Sequence, residues 1–193
     1  MSPRTTKQFE EIREQSREKI LNAAKELFGT QGYHSTSISA IAKKAGVAKG
    51  LIYNYFDNKQ ELMVGIFHQG FQEGEQILAK MMALPDARAK LKFIIDFSFD
   101  YFVSNEHESR LVTSIAVQLE SFPDMKELVV GKYRGLLPML EGLLTEIGIE
   151  HPEEEAGIIA ALLDGLGLQY LVLGDNLKLD AIKKQLYRTY NLQ

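Results

Sequence analysis

Between Thr36 and Leu62 the chain reads TSISAIAKKAGVAKGLIYNYFDNKQEL, and this spacing leaves few folds open. Ile38, Ile41, Ala42 and Ala45 recur at three- and four-residue intervals, so they share one face of a short helix. Gly46 follows at once and makes a tight turn. Val47 then returns the chain to the same core. A second short helix is predicted to start near Ala48 and to bury Ile52 and Phe56, one turn apart. The stretch before this pair carries Ile20, Leu21, Ala24, Leu27 and Phe28 on one stripe and ends at Gly29 or Gly32.

The rest of the chain keeps a helical period, and no alternating strand pattern competes with it. Ser37 is placed to cap the helix that follows it. Asn58 and Glu61, three residues apart, suit a capping box for a long helix over 59–82, and Pro85-Asp86 breaks that helix. Further helices are predicted over 87–104, 106–121, 123–147, 153–174 and 179–190. The fold class is therefore all-α, with about nine helices. The expected division is 1–58 for the helix–turn–helix domain and its N-terminal extension, and 59–193 for a second helical domain.

Composition narrows the function classes. Apolar residues make up 45% of the 193, enough for a real core. Cysteine is absent, which excludes a disulfide framework, a thiolate metal site or a cysteine nucleophile. The four histidines form no ligand-spaced pair, and no nucleophile motif is present, so an enzyme, a metal site or a cofactor has little to rest on. The start is polar and no apolar run reaches the length of a bilayer span, so a cytoplasmic protein without a membrane is expected. Net charge is −4, but residues 1–60 hold ten Lys/Arg against six Asp/Glu while the remainder holds twelve against twenty. A positive N-terminal part on an acidic body suits a DNA-binding protein and is also compatible with ordinary surface variation. Arg4, Lys7, Arg13 and Arg17 alternate with glutamates; this extension is either a solvated charged segment or an arm that touches DNA.

With Ile52 and Phe56 inward, the second short helix presents Lys49, Gly50, Tyr53 and Asn54 outward. A cation, a glycine and a phenol on one face suit the major groove, where such a helix reads base edges. The stretches AAKELFGTQGYHSTSI (residues 23–38) and KGLIYNYF (residues 49–56), followed by Lys59 and Leu62, resemble the DNA-binding motif of the TetR family of bacterial transcriptional regulators. LLDGLGLQ (residues 162–169) is a weaker similarity in the second domain. The resemblance implies phosphate contacts from Tyr55 and Lys59, and donors at Thr36 and Ser37. Leu51, Ala48 and Asn54 depart from the family's usual hydroxylated, serine and histidine residues.

The same resemblance implies a repressor that binds double-stranded DNA as a homodimer on a palindromic operator, released by a small, largely apolar effector. The aromatic stripes Phe67–Phe71 and Phe93–Phe97–Tyr101 read either as plain core or as the lining of an effector cavity. Phe67, Phe71, Phe97, Tyr101, Gln118 and Tyr133 are the candidate lining residues, with His107 and Arg110 as further polar candidates. The helix over 153–174 is apolar almost all round, so it is either a central core helix or part of a subunit contact. The resemblance favours the contact, through Leu162, Leu166, Leu171, Ile182 and Leu186, with Gly165 and Gly167 allowing close approach. A DNA-binding scaffold without an effector is the alternative.

Overall fold

The computed structural model describes residues 6–116 and 118–192, with side chains from residue 8 onward. Arg4 and the side chain of Lys7, considered above, lie outside the described residues. Nine α-helices and two short 3-10 turns make up the described chain, with no strand among the described residues. The helices are α1 (Thr6–Gln31), α2 (Ile38–Ala45), α3 (Lys49–Tyr53), α4 (Lys59–Met82), α5 (Ala87–Ser104), α6 (Glu106–Ala116), α7 (Pro123–Glu146), α8 (Pro152–Leu173) and α9 (Leu179–Thr189). The chain divides into two compact units, Met1–Gln72 and Glu73–Gln193, with the division inside α4.

In the first unit the boundaries follow from identifiable caps. Ser37 Oγ accepts from the Ala40 N–H at 3.1 Å, and Gly46 closes α2 in the left-handed region at φ 67°. Ala48 precedes α3 with no side-chain cap. Asn58 Oδ1 accepts from Glu61 N at 3.0 Å, while the Glu61 carboxylate reaches back to Asp57 N at 2.7 Å, one residue short of a regular capping box. Ile20, Leu21, Ala24, Phe28, Ile41, Ala42, Ile52, Phe56, Leu62, Met63 and Ile66 are buried here. Gly65 is required by this packing: a Cβ there would stand 3.0 Å from Leu21 Cδ2 and 3.1 Å from Phe56 Cε1. The first turns of α4 thus belong to the first unit's own core, which is why that unit extends past residue 58.

In the second unit Leu91, Ile95 and Phe99 of α5, Leu140 and Leu144 of α7, and Ala156, Ile159, Ala160, Leu163 and Leu166 of α8 form one core, closed by Tyr190 and Leu192. Asp86 caps α5 by accepting from Ala89 N at 2.8 Å. Arg88 serves the ends of two other helices. Its guanidinium donates to Tyr190 O at 2.5 Å and to Ile147 O at 3.3 Å, placing a cation where helix carbonyls are unpaired. Helix α9 is tied to α5 at Asp96, whose carboxylate accepts from Lys183 at 2.7 Å, from Lys92 at 3.1 Å and from the Tyr187 hydroxyl. Burial alone would raise this carboxyl, but the hydrogen bonds from Lys183, Tyr187 and Lys92 hold it below its ordinary value.

Two expectations are corrected here. The helix expected over 106–121 ends at Ala116, and the chain tightens into a 3-10 turn at Leu119–Ser121 before Pro123 opens α7. Leu166, one of the residues expected at a subunit contact, is built into the chain's own core. Leu166 is 4% exposed within that core, and Leu162, Ile182 and Leu186 pack against it half-buried; Leu171 is also half-buried. Gly167 likewise serves the chain's own packing, since a Cβ there would meet the Phe102 ring at 3.1 Å.

Candidate nucleic-acid interface and effector region

Helix α3 has only five residues, so its position is set by what it buries. Ile52 is fully buried, Phe56 just past the helix is 5% exposed, and Lys49, Gly50, Tyr53 and Asn54 are exposed on the other side. Tyr53 is 47% exposed. Leu51 and Tyr55 are half-buried at the edges of this face. A Cβ on Gly50 would meet nothing, so no packing within the protein demands glycine there. Ser37 is exposed beside this face; its oxygen caps α2, and its hydroxyl hydrogen remains available to an acceptor.

Thr36 and Lys59 do not join that face. Thr36 is 2% exposed, and its hydroxyl donates to Gly32 O at 2.8 Å. It pins the turn between α1 and α2 from inside. The Lys59 ammonium donates to Tyr33 O at 2.7 Å, His34 O at 3.2 Å and Thr36 O at 3.1 Å, and lies 4.5 Å from the Tyr33 ring centroid. An ammonium has three donors, and all three are committed. Both residues hold the turn that aims α2 and α3, and buried Thr36 does so in place of the phosphate contact expected from the sequence. Lys59→Met should therefore lower stability by about 2 kcal/mol, because three carbonyls lose a charged donor. Urea unfolding measures this; unchanged stability together with a shallower salt dependence of DNA binding would restore the phosphate role.

Sequence reasoning did not single out the stacking of α1 on the far end of α3. The Arg13 guanidinium lies 5.8 Å from the Tyr55 ring centroid, and Arg17 lies 5.7 Å from that of Phe56. Arg13, Arg17 and Tyr55 line an open concavity of about 370 Å³ together with Glu10, Glu14 and Asn54. Lys44 also ties α2 to α1 through Glu26 at 2.5 Å.

The proposed effector residues fall in both units. Phe67 and Phe71 are half-buried on α4 in the first unit. In the second, Phe93, Phe97 and Tyr101 form a ladder along α5 with centroid separations of 6.4 and 6.0 Å. Phe97 remains 38% exposed. Burial pushes the Tyr101 phenol far above its ordinary value, helped by Glu108, which accepts its hydrogen bond, and by Glu73. The Tyr133 phenol, pushed up to about 12 by burial and by Asp164, donates to that carboxylate. Gln118 is different: it is exposed, and its amide folds back onto Ser114 O at 2.9 Å, so it does not line an interior. His107 and Arg110 are exposed too, and Arg110 pairs with Glu106 at 2.7 Å.

Residues 20–66 match the model of bacterial regulatory proteins of the tetR family, and residues 87–190 match the C-terminal domain of BetI-type transcriptional repressors. The fatty acid metabolism regulator protein of Bacillus subtilis is 32% identical over 140 residues, 72% of this chain and 71% of that protein. The chain belongs to the TetR family. It is a DNA-binding, ligand-responsive transcriptional regulator, and the relatives it matches are regulators rather than enzymes. TetR-family structures share its fold along nearly the whole chain. A regulator from Saccharomonospora viridis in complex with choline aligns with TM-score 0.80 at 20% identity, covering 91% of this chain and 95% of that one. FadR from Bacillus subtilis in complex with stearoyl-CoA aligns with TM-score 0.69 at 24% identity, covering 90% and 96%.

Proposed function

We propose that this TetR-family regulator is a cytoplasmic repressor that grips a palindromic operator as a homodimer and releases it when a small, largely apolar effector binds the second unit. The observation that carries the DNA-reading assignment is the division of α3, with Ile52 fully buried and Lys49 and Tyr53 exposed on the opposite side. Lys49 donates to a base edge or a phosphate, Gly50 lets the backbone approach, and Leu51 offers an apolar contact to a thymine methyl. Tyr53, Asn54, Tyr55 and Ser37 supply neutral donors to phosphates.

The dimer assignment rests on α8. Ile158, Ala161, Gly165, Leu168 and Val172 follow each other at three- and four-residue steps, and Ile158, Leu168 and Val172 are 57%, 51% and 76% exposed. By length and composition α8 would also cross a bilayer. Its opposite side is built into a folded core, however, and a second copy presenting the same stripe covers it without lipid. The apolar effector assignment rests on the α5 ladder and on the related fatty acid metabolism regulator. Release follows by linkage: an effector that binds one conformation better than the other shifts the population away from the DNA-bound form.

Selection of duplexes from a random pool by the purified protein should return an inverted repeat. Adding stearate, a small and largely apolar probe, should then free the selected duplex at micromolar concentration, while choline at the same concentration should not. Release by choline alone would overturn the apolar assignment, and selection of no duplex would overturn the reading as a whole.

A further inference from the structure

The family match begins at residue 20, whereas α1 begins at Thr6. Roughly four turns of helix therefore precede the shared region, and they are anchored rather than free. Arg13 and Arg17, one turn apart, lay their guanidinium groups over the rings of Tyr55 and Phe56, which follow α3 directly. The concavity they make with Glu10, Glu14 and Asn54 opens to solvent beside the last residues of the reading helix.

The two arginines are not equivalent. Arg17 shares Glu14 at 3.6 Å. Arg13 makes no ion pair with any described carboxylate, is exposed, and lies over the Tyr55 ring. Stacking restrains the guanidinium plane but satisfies none of its donors, which leaves a pre-oriented fork suited to an oxyanion. Beside it stand the Asn54 amide and the Tyr55 hydroxyl, both neutral donors. A charged fork with two neutral donors at one concavity matches a phosphodiester.

We propose that this concavity seats a backbone phosphate of the operator, with Arg13 as its cation and Asn54 and Tyr55 as its neutral donors. The extension of α1 thereby adds one contact per subunit beyond the helix–turn–helix. The proposal rests on the reading of α3 as the DNA-facing helix. Glu10 and Glu14 line the same concavity and oppose the phosphate, so their charge weakens the contact that Arg13 makes.

The test is operator binding by the full-length protein, measured by fluorescence anisotropy over a range of salt concentrations. Arg13→Ala should weaken a selected and a scrambled duplex by the same factor, on the order of tenfold. It should also reduce the magnitude of the slope of log affinity against log salt by about 2 for a dimer. Arg13→Lys, which keeps the charge, should retain the slope. Glu10→Gln should tighten binding several-fold at low salt. A slope that Arg13→Ala leaves unchanged overturns the proposal, whatever the loss of affinity. If that variant also melts earlier, Arg13 is a brace for Tyr55 and not a phosphate ligand. Failure of the underlying reading looks different, because the wild-type protein would then select no duplex at all.

Discussion

Val172→Glu should give a folded monomer that no longer holds the operator. Val172 is 76% exposed, so within one subunit the substitution touches almost nothing and should change stability by less than about 0.5 kcal/mol. Across a two-fold contact the same change counts twice. Each new carboxylate is desolvated against an apolar stripe, a cost of several kcal/mol per ion. Leu168→Glu, on the same stripe and 51% exposed, should behave alike. Leu166→Glu is the contrasting variant. At 4% exposure in the chain's own core it should unfold the second unit rather than separate two intact subunits. Light scattering with circular dichroism distinguishes the two outcomes, and a gel shift reads the loss of DNA. A Val172→Glu protein that remains dimeric would remove the α8 stripe from the interface.

The contrast between Leu166 and Val172 shows where the sequence stops being informative. Helix α8 is apolar nearly all round, so its pattern has no polar side to say which face meets the core. Only the positions of α5 and α7 settle that Leu163 and Leu166 point inward and that Leu168 and Val172 do not. Boundaries were legible wherever a local signal exists: Ser37, Gly46, Asn58, Asp86 and Pro123 all act within three residues of themselves. The end of α6 had no such signal. Leu111, Ile115, Leu119 and Phe122 keep helical spacing through the point where the chain tightens into a 3-10 turn, so periodicity runs past it.

The partners of side chains that act at a distance were not legible, for the same reason. Lys59 looks like a free cation at a helix start, yet its partners lie 23 to 26 residues earlier in the chain. Thr36 looks like a phosphate donor beside Ser37, yet its hydroxyl turns into the core. Arg88 bonds carbonyls 59 and 102 residues away, and nothing local marks it. What a residue faces was legible on the amphipathic helices α2 and α3. It was not legible where the partner is a carbonyl from another part of the chain.

Lys49→Ala and Tyr53→Ala should each leave the fold and assembly intact and still weaken operator binding severely. Both side chains stand on the exposed side of α3, and neither contributes to the core that Ile52 and Phe56 anchor. Thermal melting should therefore be unchanged. A specific contact to a base edge is worth about 1–3 kcal/mol. A two-fold complex loses it twice, so Lys49→Ala should cost about 2–6 kcal/mol, a drop of roughly thirtyfold to twenty-thousandfold. The role of Lys49 can be resolved further by repeating the duplex selection with the variant. If the ammonium reads a base, preference should relax at one position in each half-site. If it binds a phosphate, every sequence should weaken alike and the salt slope should fall. Tyr53→Phe separates the hydroxyl from the ring: retained affinity means the ring packs on the sugar edge, and lost affinity means the hydroxyl donates to a phosphate. Operator affinity left intact by both alanine variants would take α3 away from the DNA, and with it the geometry that places Arg13 beside a phosphate.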